Sequence, residues 1–318
     1  MKGLSKDSAS WHEISEDAAG QRIDNYLTRL LKGVPKSHVY RILRSGEVRV
    51  NSSRVSADHR LKVGDRVRIP PVRVAARQAA ARPGHVKLGK SVLYEDDALL
   101  VLDKPAGLAV HGGSGISLGV IEQLRSERPD TRFLELVHRL DRDTSGVLML
   151  AKKRAALVAL HEQLRSGQVR KLYFTLVHGM WPNAKQEVKL SLHKYSLSTG
   201  ERRVRVSEEG LAAHTIFRRH WARNGYSLLE AQLKTGRTHQ IRVHLAHLGY
   251  PIAGDEKYGD FSLNKALAKR GLKRMFLHAW RMVIRHPVTG EQVIFEAPLP
   301  VDLSDFVAQL EKKHAETV

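Results

Sequence analysis

The chain of 318 residues contains no cysteine. A disulfide framework, a thiol nucleophile and a thiolate metal site are therefore excluded. Long apolar runs are missing as well: no stretch reaches the roughly 20 residues that a membrane-spanning helix needs. Residues 1–19 are polar, carry acidic side chains and hold no segment that reads as a signal peptide. Glycine-rich nucleotide-cradling patterns and internal repeats are also absent. Gly112-Gly113-Ser114-Gly115 lacks the Lys-Ser/Thr ending of such a loop and reads as a flexible border to a groove. What remains is a soluble chain, 42% hydrophobic, able to fill a sizeable core in two or three domains.

Acidic residues are scarce beside basic ones, 33 against 53, for a net charge of +20. Between Gln21 and Lys90 there are 17 Lys and Arg against 4 Asp and Glu, so +13 of that surplus sits in less than a quarter of the chain. Charge gathered in this way is the electrostatic footprint of a polyanion-binding module.

That basic stretch has helical spacing first. Ile23, Tyr26, Leu27 and Leu30 make one apolar stripe, with Gly33 as a stop. Pro35 opens a second helix whose apolar side is Val39, Ile42 and Leu43, ended by Gly46. Lys36, Arg41 and Arg44 fall off this stripe. Strands are predicted at 47–51, carrying Arg49, and at 66–70, where Val67 and Ile69 alternate with Arg66 and Arg68. With Arg22-Ile23-Asp24 and Gly46 to Asn51, residues 20–70 resemble an S4-type RNA-binding domain. Lys36, Arg41, Arg44 and Arg49 are its candidate RNA contacts. Residues 74–90, rich in Ala, Arg and Gly, read as a linker.

From Ser91 onward strands predominate, at 92–94, 99–102, 133–137, 147–150, 172–177, 226–233 and 276–284, with a turn at Thr289-Gly290. Helices are predicted at 118–127, 154–164, 239–248 and 302–311, and 202–206 and 215–219 read as strands of a more exposed sheet. The expected class is α+β: a small helix-helix-strand module, then a large mixed, mainly antiparallel β-sheet domain with flanking helices. The expected boundaries are a polar tail at 1–19, the module at 20–73, the linker at 74–90 and the large domain at 91–318.

Three stretches carry chemistry. His138-Arg139-Leu140-Asp141-Arg142-Asp143-Thr144-Ser145-Gly146 sets two carboxylates and two arginines on a loop between buried strands, a common place for an active site and also the composition of a solvated turn laced with ion pairs. If extended there, Asp141 and Asp143 point the same way, as a glycosidase-like pair or metal ligands do, but the chain supplies neither role with partners. His239, His244 and His247 follow no zinc pattern, and the last two read as packing or surface residues. In Thr235–His244, Thr238 is placed to cap a helix, Ile241 to face the core and Arg242 to project toward a carboxylate on a neighbouring strand end. Tyr173, on a strand, would be a stacking platform for a base if it faced a groove.

Together with Lys104-Pro105-Ala106-Gly107, Lys171-Leu172-Tyr173 and Tyr250 to Gly259, these stretches resemble the RluA-like family of large-subunit ribosomal RNA pseudouridine synthases, over residues 90–300. The resemblance implies that Asp141 is the catalytic aspartate and that Asp143 has a lesser role. Arg139 is implied to enter the RNA stack beside a flipped-out uridine, Tyr173 to pack on the base, and Arg242 to steady Asp141. It also implies breakage of the N1–C1′ bond and rejoining through C5, with Asp141 acting as a nucleophile or removing the 2′ proton, and no metal or other cofactor. The implied partner is structured RNA, 23S ribosomal RNA or its precursor, handled by a monomer in the bacterial cytoplasm without membrane contact.

Overall fold

The computed structural model describes residues 8–31, 34–72, 88–112 and 118–315. The chain divides into two compact units, Met1–His85 and Val86–Val318. Gly33, Gly113-Ser114-Gly115 and most of the expected linker lie outside the described residues.

In the first unit, β1 (Ser10–Glu13), α1 (Ile23–Leu30), α2 (Lys36–Arg44), β2 (Arg49–Val50) and β3 (Arg66–Ile69) follow one another. The strands form an antiparallel sheet in the order β1-β3-β2. Ile23 and Leu27 of α1 meet Val39 and Ile42 of α2 and Val67 and Ile69 of β3 in one buried cluster. The expected tail is corrected here: Ser10–Glu13 pairs along the whole of β3, and Ile14 and Ala18 are buried in the same cluster. Alternation over four residues, two of them Ser and His, is too short to stand out as a strand in sequence. Gly46 ends α2 at φ +73, where a Cβ would lie 2.4 Å from the Arg54 side chain. Asp24 is buried at the start of α1, where its carboxylate accepts from Arg22 Nη2 at 2.8 Å and from the Tyr40 hydroxyl at 3.0 Å. That bond ties α1 to α2. Lys36, Arg41, Arg44 and Arg49 are all exposed.

The second unit holds β4 (Val92–Glu95), β5 (Leu99–Lys104), α3 (Val120–Glu127), β6 (Glu135–Leu136), β7 (Ser145–Ala151), α4 (Arg154–Arg165), β8 (Arg170–His178), β9 (Lys185–Lys189), β10 (Leu192–Ser196), β11 (Arg202–Val206), β12 (His214–Arg223) and β13 (Tyr226–Leu233). After these come α5 (Gln240–His247), α6 (Phe261–Lys269), β14 (Leu277–Arg285), β15 (Gln292–Glu296) and α7 (Val301–Ala315). Among the described residues, ten strands form one sheet along β4-β5-β7-β14-β8-β13-β12-β9, with β15 on β14 and β6 on β7. Every pairing is antiparallel except β7 with β14. Strand β7 is buried along its whole length. The architecture is the α+β class that the sequence indicates.

Two departures have plain causes. Residues 215–219 do not belong to an exposed sheet. They lie in β12 of the main sheet with Thr215 and Phe217 fully buried, while β11 pairs with β10 in a separate two-stranded sheet. A buried Thr reads as surface in a sequence, but its hydroxyl is satisfied here by Gln240 and His244. The second unit also begins before residue 91, because Leu88 is buried in its core.

Candidate active site

The buried strand β7 fixes the loop that precedes it. Val137 N–H still bonds Met149 O at 3.0 Å, and Thr144 N–H closes a turn onto Asp141 O at 3.2 Å. Between these points Leu140 is buried, whereas Arg139 is exposed and Asp141 partly so. The turn prevents Asp141 and Asp143 from acting as an extended pair, and Asp143 instead binds Arg142 at 3.1 Å on the surface.

Two further contacts hold the loop. Lys104 is fully buried at the end of β5, and its ammonium donates to Pro105 O at 2.7 Å, Leu108 O at 2.8 Å and Arg142 O at 3.0 Å. One lysine thus pins residues 104–108 to the loop bearing Asp141. Gly146 has φ +107, and a Cβ there would fall 2.2 Å from Ala279 O. Glycine is required for β7 and β14 to come this close.

Helix α5 brings the opposing cation. Arg242 reaches a carboxylate, as its position in the sequence suggests, but does so from a buried site. Its Nε and Nη2 grip both oxygens of buried Asp255 at 2.7 and 2.8 Å, leaving Nη1 to donate to Asp141 Oδ2 at 3.1 Å. Burial by itself raises the Asp255 carboxyl, but the Arg242 fork and the N–H groups of Lys257 and Tyr258 outweigh it and hold Asp255 ionised below its usual range. Arg242 in turn is raised above its ordinary value despite burial, because two carboxylates surround it. Gly254 aims Asp255: at φ +77 it passes Arg274 O so closely that a Cβ would sit 2.1 Å away.

The helix cap is His239 rather than Thr238, in the left-handed region at φ +54 and with no capping side chain. Such a conformation costs a non-glycine residue ~1–2 kcal/mol. The ring is held by Tyr258, whose hydroxyl lies 2.7 Å from Nδ1, and Nε2 faces Asp141 Oδ1 at 3.8 Å. Burial lowers the His239 pKa, against the opposing pull of the Asp141 carboxylate.

Tyr173 and Lys171 lie two apart on β8 and therefore share a face. Burial pushes the Tyr173 phenol up, and Asp141 adds to the shift, so the ring stays neutral. Burial also lowers the Lys171 ammonium. Two clefts, of about 1100 and 770 Å³, share Arg139, Asp141, His239 and Arg242 on their walls. Tyr173 and Lys171 line only the second. The structure thus gathers Arg139, Asp141, Tyr173 and Arg242, which lie far apart in the sequence, around one opening. Among the described residues no group of three His, Cys, Asp or Glu side chains is placed to hold a metal.

Comparison with known proteins gives the family. Residues 98–247 match the family model for RNA pseudouridylate synthase, and residues 21–67 match the S4 domain. "Ribosomal large subunit pseudouridine synthase C" of Pasteurella multocida is 53% identical over 306 residues, covering 94% of this chain and 93% of the relative. The Escherichia coli K12 protein of the same name is 53% identical over 303 residues, 93% of this chain and 95% of the relative. The chain belongs to the RluA-like pseudouridine synthase family. Among solved structures, this synthase is similar to human RNA pseudouridylate synthase domain containing 4, with a TM-score of 0.57 and 27% identity over 70% of this chain and 94% of that one.

Four side chains of the candidate site are passed over by the sequence reading. Asp255 and Tyr258 stand in the quoted 250–259 motif, yet a lone carboxylate in a polar run gives no sign that it will be buried against an arginine. His239 stands out in the sequence only as one of three histidines that fit no zinc pattern. Lys171 precedes Tyr173 by two on a strand, and that spacing is the signal that both face one cleft.

Proposed function

We propose that this synthase isomerises uridines of 23S ribosomal RNA, as a cytoplasmic monomer, with Asp141 as its catalytic residue. The carrying observation is that Asp141 is a partly exposed carboxylate, held on one oxygen by a buried arginine, where two clefts meet. Names of relatives matching along nearly the full chain support the choice of large-subunit RNA.

The side chains fit the steps the reaction needs. The target uridine must leave its helix, at a cost of a few kcal/mol. Arg139, exposed at the rim, fills the vacated stack, and Tyr173 packs on the extruded base. Asp141 then lies beside C1′ as the N1–C1′ bond breaks, either as nucleophile or as the base that takes the 2′ proton. Arg242 holds the carboxylate in one orientation throughout, and the detached uracil turns against Tyr173; C5 then bonds to C1′ as the Asp141–C1′ bond breaks or the 2′ proton returns, and C5 loses its proton while N1 gains one. Exposed Lys36, Arg41, Arg44 and Arg49 on the first unit add phosphate contacts that position the RNA without reading its bases.

The test is incubation with unmodified 23S transcripts followed by mapping of modified positions. Pseudouridine at a few defined uridines supports the reading. Release of free uracil marks a hydrolytic glycosidase, and tight binding with no modification marks a non-catalytic assembly factor; either outcome overturns it.

A further inference from the structure

Among the described residues, no hydrogen bond reaches one of the two Asp141 oxygens. Oδ2 is taken by Arg242 Nη1 at 3.1 Å, while Oδ1 faces His239 Nε2 at 3.8 Å, too far for a hydrogen bond. The hydrogen on that ring is placed by its other neighbour. Tyr258 Oη accepts the Val204 N–H at 3.0 Å and lies 2.7 Å from His239 Nδ1, and we assign its own proton to that nitrogen. A neutral imidazole accepting at Nδ1 carries its hydrogen on Nε2. A donor and an acceptor therefore face each other across a gap that neither closes. Both are reachable, with 17% and 28% of their side-chain surfaces open.

A single hydroxyl oxygen about 2.8 Å from each group would satisfy both, accepting from Nε2–H and donating to Oδ1. Within a nucleotide the group that both donates and accepts next to C1′ is the ribose 2′-hydroxyl. The left-handed backbone at His239 has a purpose in this light, since it sets the ring beside Asp141 at the very start of α5.

We propose that His239 Nε2–H and Asp141 Oδ1 form the subsite for the 2′-hydroxyl of the target ribose, with Tyr258 as the positioning residue that fixes the imidazole. The inference rests on the reading that Asp141 lies beside C1′ of the target uridine. The subsite selects ribose over deoxyribose at the reacting position and fixes the sugar relative to the carboxylate.

The experiment is a cycle between protein and RNA. Wild type, His239→Leu and His239→Gln are each given an RNA fragment carrying the mapped target, either as uridine or as 2′-deoxyuridine, and Kd and single-turnover rate are measured. In wild type the deoxy substitution weakens binding or slows turnover about tenfold, the usual worth of such hydrogen bonds. In His239→Leu that penalty shrinks to about threefold or less, and His239→Gln, which keeps an N–H, restores part of it. Tyr258→Phe, which frees the imidazole tautomer, gives the same shrinkage and serves if His239→Leu does not fold. A deoxy penalty as large in His239→Leu and Tyr258→Phe as in wild type overturns the subsite. The underlying reading is judged separately, by whether wild type converts the uridine substrate at all.

Discussion

Arg242 spends two of its three nitrogens on Asp255 and only one on Asp141. The buried pair is the anchor, and the candidate catalytic carboxylate is attached to it by a single bond. Asp141 is thereby oriented by a charge that is itself fixed in the interior. Arg242 also lies beneath the Tyr258 ring, its guanidinium carbon 5.1 Å from the ring centroid, so the same cation braces the residue that orients His239.

Asp255 should therefore matter to turnover although it is not placed to touch RNA. Asp255→Asn is expected to lower the rate constant at saturating RNA about tenfold or more with little change in Kd, as expected when a charge-assisted hydrogen bond is lost. Asp255→Ala, which strands Arg242 in the interior, should destabilise the fold by about 3–5 kcal/mol in urea unfolding. Arg242→Lys cannot fork to both carboxylates and should share the turnover defect. A wild-type rate in Asp255→Asn would show that the anchor is dispensable.

Lys171 sits in the second cleft with its ammonium partly desolvated. A cation held there gains when an RNA phosphate enters. Lys171→Met is expected to weaken RNA binding several-fold and to reduce the slope of log Kd against log salt by about 1. An unchanged slope with a reduced rate would assign the lysine to the base instead.

His278 governs part of the acid stability. It is fully buried, donates Nε2–H to Ala297 O at 3.1 Å and accepts the Ser145 hydroxyl at Nδ1, 2.9 Å away. Burial lowers its pKa to about 4 from an ordinary 6.5. The unfolded chain therefore takes up a proton that the folded chain refuses. Stability is lost as the pH falls from 6.5 toward 4 and levels off below that, a contribution on the order of 3 kcal/mol. His278→Gln should lack this component in urea unfolding at pH 7, 6 and 5. A difference from wild type that stays constant with pH would rule the proton linkage out.

Much of this is legible in the sequence. Strands such as 226–233 and 202–206 have the observed bounds, the first as a largely apolar run between turn residues and the second by alternation of valine with arginine. Strands β9 and β10 do not announce themselves: Lys-Gln-Glu-Val-Lys and Leu-His-Lys-Tyr-Ser are strands only because neighbours pair with them. Arg139, Asp141, Tyr173 and Arg242 are legible as charges and an aromatic in motifs, and the fold brings them to one opening. Lys104, Asp255 and His239 are not. Their part depends on burial and on partners up to 98 residues away, as with His239 and Asp141, and local pattern carries no trace of either.

The account turns on Asp141. The most direct measurement is pseudouridine formation by purified Asp141→Asn on unmodified 23S RNA, alongside its Kd for the same RNA. Asparagine keeps the shape and the Arg242 contact but carries no charge, so turnover should fall below detection while binding stays within a few-fold of wild type. Pseudouridine formed at the wild-type rate by Asp141→Asn would contradict the assignment outright.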